Sequence, residues 1–144
     1  MLILNIKLKI FATFLPILVM AISVPPARAG RAEPISVSCW LFRGDKLELK
    51  QTCIHESRSW AGGGVGTLRW KDGVQTKIYR GFQGRGDQPC GDNESIDGVC
   101  AVRYFRHPTT LKRISEQESY SREMNRQSSV SCLQVRDKSI CWLR

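Results

Sequence analysis

Histidine is nearly absent from this chain: only His55 and His107 occur among its 144 residues, in different segments. With the six cysteines oxidised, two isolated imidazoles leave no tetrahedral zinc set. The carboxylates mostly flank turns, so no paired-carboxylate glycosidase site is visible. Gly62-Gly63-Gly64 lacks a following Lys-Ser/Thr and a helix signal, which excludes the phosphate loop and the dinucleotide fingerprint. Asp87, Asp92, Asn93, Glu94 and Asp97 lack the alternating Asp-x-Asp-x-Asp-Gly ligand pattern of a calcium loop and read as a solvated, acidic end of a basic protein. No five basic residues are consecutive, so a nucleic-acid arm is not signalled. After residue 29 there is no apolar run of membrane-spanning length. These absences point away from metals, cofactors and catalytic residues.

What is present begins with an N-terminal leader. Lys7 and Lys9 precede an apolar stretch from Ile10 to Val24, and Ala27-Arg28-Ala29 is a small-x-small cleavage site. Residues 1–29 therefore read as a secretory signal peptide, leaving 30–144 as one domain in a secreted or periplasmic protein. Cys39, Cys53, Cys90, Cys100, Cys132 and Cys141 all follow the leader, an even set that reads as a disulfide framework. Consecutive pairing (39–53, 90–100, 132–141) is expected, because each pair brackets a hairpin or loop. Without Lys7, Lys9 and Arg28, the 22 basic residues become 19 against 13 acidic ones, a net charge of +6. A basic secreted domain favours anionic partners.

The clearest local signal is Trp60 to Arg80, WAGGGVGTLRWKDGVQTKIYR. A two-residue Asp72-Gly73 turn would set apolar residues against polar ones. A three-residue loop with Gly73 left-handed sets Trp70 opposite Val74, Leu68 opposite Thr76 and Ile78 opposite Gly66, whose bare backbone leaves room for it. That register gathers Leu68, Trp70, Val74 and Ile78 on the core face and Thr67, Arg69, Gln75 and Lys77 on the other.

Other hairpins surround this one. Val37, Cys39 and Leu41 alternate with Ser36, Ser38 and Trp40, turn at Gly44-Asp45-Lys46, and return through Leu47, Leu49, Gln51 and Cys53 on the face of Cys39. Trp40 and Phe42 make the opposite face apolar too, as in a strand covered on both sides. Ile54 to Ala61 reads as a connection; its His55, Glu56, Ser57 and Ser59 are nucleophile-and-base residue types without a geometry that joins them. The 81–98 loop contains Arg85-Gly86-Asp87 and leads into an Asp97-Gly98 turn and the strand VCAVRYFR. DGVQTKIYR at 72–80 echoes DGVCAVRYFR at 97–106. Ser115-Glu116-Gln117-Glu118 is a capping box for a helix over 116–127, with Tyr120 and Met124 on one face. The chain closes with strands around a turn at Arg136-Asp137, setting Cys132 opposite Cys141 and Leu133 opposite Ile140.

The fold class is thus mainly β: a small antiparallel barrel or sandwich of hairpins with about three disulfides and one short surface helix near 116–127. Cys39-Trp40, the Trp70-to-Ile78 hairpin, the later Asp-Gly-Val strand and the closing Cys141-Trp142 together resemble uncharacterised small secreted proteins of bacteria, cyanobacteria in particular. That resemblance implies a fold and no site. A comparison with the periplasmic inhibitors of c-type lysozymes, also disulfide-tied barrels, lacks their inhibitory loop motifs, and the positive charge opposes it. The expected function is a non-enzymatic binding domain for anionic polysaccharide or envelope polymer, with Trp60 exposed and Arg58, Arg69 and Lys77 beside it. A protein partner or inhibited enzyme met through 81–98 is the alternative. A small hydrolase using His55 comes third.

Overall fold

Leu68 to Ile78 keeps the register read from its side chains in a computed structural model that describes residues 30–81, 90–91 and 93–143. Strand β3 (Gly63–Arg69) pairs with β4 (Gln75–Gly81), setting Leu68 opposite Thr76 and Gly66 opposite Ile78. Trp70 N donates to Val74 O at 2.9 Å, and Gly73 has a φ of +86°, as the three-residue loop requires. Leu68, Trp70 and Ile78 are buried, but Val74 is 56% exposed, against expectation. The ladder starts at Gln75, so Val74 stands at the tip, beyond the strands that would cover it. The space at Gly66 serves a different neighbour from the one expected. A Cβ there would come within 3.1 Å of His55 Nε2, so the glycine makes room for an imidazole.

The other strands are β1 (Gly30–Arg43), β2 (Lys46–Trp60), β5 (Glu94–Ile96), β6 (Val99–Arg106), β7 (Arg113–Ile114), β8 (Val130–Val135) and β9 (Lys138–Leu143). Neighbours run β5-β4-β3-β2-β1-β9-β8-β6, and β5 also pairs with β6, so eight antiparallel strands close a barrel. β7 adds only to the far end of β6. Closure rests on short ladders: two residue pairs join β4 to β5 and three join β5 to β6. Asp97, left-handed before Gly98, extends the first of these seams by accepting from Lys77 N at 2.8 Å and donating its own N–H to Lys77 O at 2.8 Å.

Alternation then sorts side chains across the barrel wall. Val37, Cys39, Cys53, Leu68, Trp70, Ile78, Ala101, Leu133 and Trp142 form the interior core. Trp40, Phe42, Val130, Cys132 and Cys141 form a second cluster outside the wall, with Tyr104 and Leu111 packed against it. Apolar residues on both faces of β1 thus have two different coverings. A register shift between Leu41 and Phe42 sets Phe42 opposite Leu47. The bulge turns Leu47 outward, away from the face of Cys39 where simple alternation would put it.

Cys90–Cys100 and Cys132–Cys141 are disulfides, and Cys132 stands directly opposite Cys141. The expected third bridge is not formed. Cys39 opposes Gln51 and Cys53 opposes Val37, so the two thiols lie on a ladder diagonal and share a hydrogen bond. Diagonal neighbours stand roughly 7–8 Å apart at Cα, wider than most disulfides span. Burial pushes the Cys39 thiol well above the usual cysteine range and raises that of Cys53 as well, so both stay protonated at neutral pH. Native protein should therefore resist alkylation, and unfolding without reductant should release two reactive thiols. Intact mass showing three disulfides would overturn that expectation.

Helix α1 (Glu116–Met124) starts where the capping box places it, with Ser115 Oγ accepting from Glu118 N at 3.0 Å. It stops short of residue 127 because Arg126 turns left-handed, at φ +57°. Tyr120 and Met124 face solvent; Ser119 supplies its buried contact. Residues 1–29, expected to be a signal peptide, residues 82–89 of the 81–98 loop with Arg85-Gly86-Asp87, and Asp92 lie outside the described residues. Among the described residues no helix is long and apolar enough to cross a membrane. The disulfides fit an oxidising, extracytoplasmic compartment.

Candidate binding sites

Two surfaces concentrate polar chemistry, one on each side of the barrel wall. The outer one follows from the register of β2, β3 and β4. Arg58 opposes Val65, which opposes Tyr79; Glu56 opposes Thr67, which opposes Lys77; Ile54 opposes Arg69, which opposes Gln75. Outward positions of three strands therefore bring Arg58, Arg69 and Lys77 to one shallow groove of about 300 Å³. Arg31 joins from β1, opposite Arg58. Glu56 is the carboxylate within this row, ion-paired to Arg69 and, at 3.6 Å, to Arg31. Arg58 and Lys77 have no side-chain ion pair among the described residues.

Trp60 is half-buried at the end of the same outer face and does not line the groove. Its cross-strand neighbour is Gly63, which in turn faces Gly81. Gly81 must be glycine here, since a Cβ would fall 2.1 Å from Gly62 O. Trp40, Trp70 and Trp142 are buried.

The second surface is the barrel's mouth, a concavity of about 640 Å³ walled on one side by α1 and the turn after it. The sequence reading of this region needs two corrections. Ile54 to Trp60 is not a connecting loop; β2 runs unbroken through it, and alternation turns His55 and Ser57 inward while Glu56 and Arg58 turn out. His55 is only 4% exposed. Glu94 is likewise no solvated loop acid. It is 8% exposed on β5, and Arg103 grips both its oxygens, Nε to Oε2 at 2.8 Å and Nη2 to Oε1 at 2.7 Å. Glu94 opposes Ala101, a small residue past which Arg103, two positions further along β6, reaches diagonally to β5. Arg80 Nε approaches Glu94 Oε1 from the other side at 3.6 Å, and Arg103 lies over the Trp142 ring at 5.8 Å.

The period-two run Cys53-x-His55-x-Ser57 was the available signal for this interior, but hydropathy cannot tell a polar barrel lining from a solvated strand. Arg103, between Ala101 and Phe105, carried the same ambiguity. Among the described residues no cluster of three His, Cys, Asp or Glu side chains is arranged to hold a metal ion.

Fold and sites together define a disulfide-tied, eight-stranded antiparallel barrel with a polar mouth and a basic outer face. No family model, curated protein or solved structure matches the chain.

Proposed function

We propose that this protein is a non-enzymatic binding domain for acidic polysaccharide or another anionic polymer of the cell envelope, delivered there by the 1–29 signal. In type it is akin to the small secreted bacterial proteins that its Cys-Trp and Asp-Gly-Val strands resemble. The observation that carries the reading is the convergence of Arg58, Arg69 and Lys77 in one groove, with Arg31 alongside. Arg31 and Arg58 stand directly opposite each other, about 5 Å apart, whereas Arg69 and Lys77 are diagonal neighbours roughly 7–8 Å apart. An extended chain of repeated negative charges meets that array at several points at once. Trp60 ends the row with a flat apolar face against which a sugar ring packs.

Exposed cations act through a screened field, so binding should weaken steeply with salt. The test is retention of the full mature protein on immobilised alginate over a salt gradient. Arg58→Ala and Lys77→Ala should each weaken retention about two- to five-fold, the effect of losing one exposed ion pair. Retention that ignores salt, or that survives the double substitution, would refute the assignment.

A further inference from the structure

The barrel mouth is a site of its own. We infer that it binds a single small hydroxylated anion, a hexuronic acid by class, with the carboxylate toward Arg80 and Arg126 and the ring against Phe105 and Trp142. The concavity, about 640 Å³, lies within the roughly 300–1,000 Å³ typical of small-molecule pockets. Below it the eight-stranded interior is filled by the apolar core, so the ligand space is confined to the mouth.

Charge selects the ligand's sign. Glu94 is already neutralised, because Arg103 occupies both its oxygens. Arg80 meets Glu94 only through Nε at 3.6 Å and its side chain is 62% exposed, so it keeps donors for a ligand at the opening. Arg126 also lines the mouth, and its guanidinium has no ion-pair partner among the described residues. Glu123 on α1 offsets one of these charges and leaves the lining with three arginines against two glutamates. A net single positive charge suits a monoanion. A polyanion fits the outer face better, and a cation fits neither.

The remaining lining selects hydroxyls and a ring. Ser57, Ser119, Ser128, Ser129, Ser131 and Gln127 surround the space with neutral donors and acceptors. Such a wall leaves polar groups unpaired against a purely apolar acid and rewards a polyol. Phe105, with the small accessible part of the mostly buried Trp142 beside it, supplies the apolar patch on which the less polar face of a pyranose rests.

Isothermal titration with glucuronate, glucose and benzoate separates these requirements. Glucuronate should bind, and glucose and benzoate should bind at least ten-fold more weakly. Arg80→Ala should weaken glucuronate about ten-fold or more, as for loss of a charge-assisted hydrogen bond. Arg126→Ala tests the same point away from the Glu94 ion pair and should also weaken it, with an unchanged melting curve. The Arg58→Ala/Lys77→Ala double variant should bind glucuronate normally even where it has lost alginate, which separates the two sites. Equal binding of glucose would overturn the anionic reading, and equal or tighter binding of benzoate the polyol reading. No heat with glucuronate, or a loss confined to the outer-face variant, would overturn the site altogether.

Discussion

Arg103→Ala should lower the unfolding free energy by about 3 kcal/mol, the low end of the effect of stripping one partner from a buried ion pair, because Glu94 is buried while Arg103 is itself partly exposed. The effect comes from what remains behind. Glu94 is 8% exposed and both its oxygens depend on Arg103. Arg80, at 3.6 Å and mostly solvent-exposed, is a weak replacement. The orphaned charge would also sit on β5, a strand of three residues that joins the two halves of the barrel. Urea denaturation of Arg103→Ala, Glu94→Gln and the combined Glu94→Gln/Arg103→Met variant checks the argument. The combined variant should be more stable than Arg103→Ala, because no buried charge is left unpaired. A loss below about 1 kcal/mol for Arg103→Ala would mean that water compensates Glu94 as it does a surface acid. Hydrogen exchange should find the same substitution speeding Ser95 and Ile96 more than the amides of β1 and β2.

Arg106→Ala should be equally damaging, by about 3 kcal/mol, for a different reason. Its guanidinium is buried outside the barrel, 4.0 Å from the Phe42 ring centre and 5.3 Å from that of Tyr104. It donates to Leu111 O at 2.7 Å and to Asp45 Oδ1 at 2.8 Å. One planar cation therefore ties the β1–β2 turn to the 107–114 segment and roofs the outer aromatic cluster. A desolvated cation–π contact contributes about 2 kcal/mol, and hydrogen bonds from a charged donor roughly 1.5–3 kcal/mol each. These terms overlap, which is why the expected loss is less than their sum. Asp45, held below the ordinary carboxylate range by Arg106 first and Arg113 second, is mostly exposed and serves as an anchor for that cation. Arg106→Lys should recover little, since an ammonium cannot stack flat on Phe42 while reaching both acceptors. Full stability in Arg106→Lys would show that charge alone matters there.

Much of the architecture was legible because β-structure writes itself in alternation and turn chemistry. The Trp70–Val74 closure, the Cys132–Cys141 pair and the Ser115 cap each depend on residues within ten positions of one another. Local geometry settles such features before the chain meets its distant parts. The failures share a cause as well. Val74 and Leu47 obey the alternation of their segments, yet a hairpin tip and a bulge decide which way they point. Cys39 and Cys53 lie on one face with their thiols in contact, but a register offset of two holds their backbones on a diagonal. His55 and Glu94 are polar residues in polar surroundings along the chain, and only closure of the barrel removes them from water.

By itself the sequence determined a mainly β, disulfide-bonded domain and the registers of its β3–β4 and β8–β9 hairpins, because period-two patterns and turn residues act over a few positions. It also placed Arg69 and Lys77 at outward parity on adjacent strands, while Arg58 joins them only because β2 runs through 54–60. Tertiary structure decided that the strands close into a barrel through the short β5, that the mouth is lined with polar groups, and that Arg103 pairs with Glu94 inside it. Those facts depend on contacts between strands remote in sequence. The burial and electrostatics that make them matter come into being only when the two edges of the sheet meet.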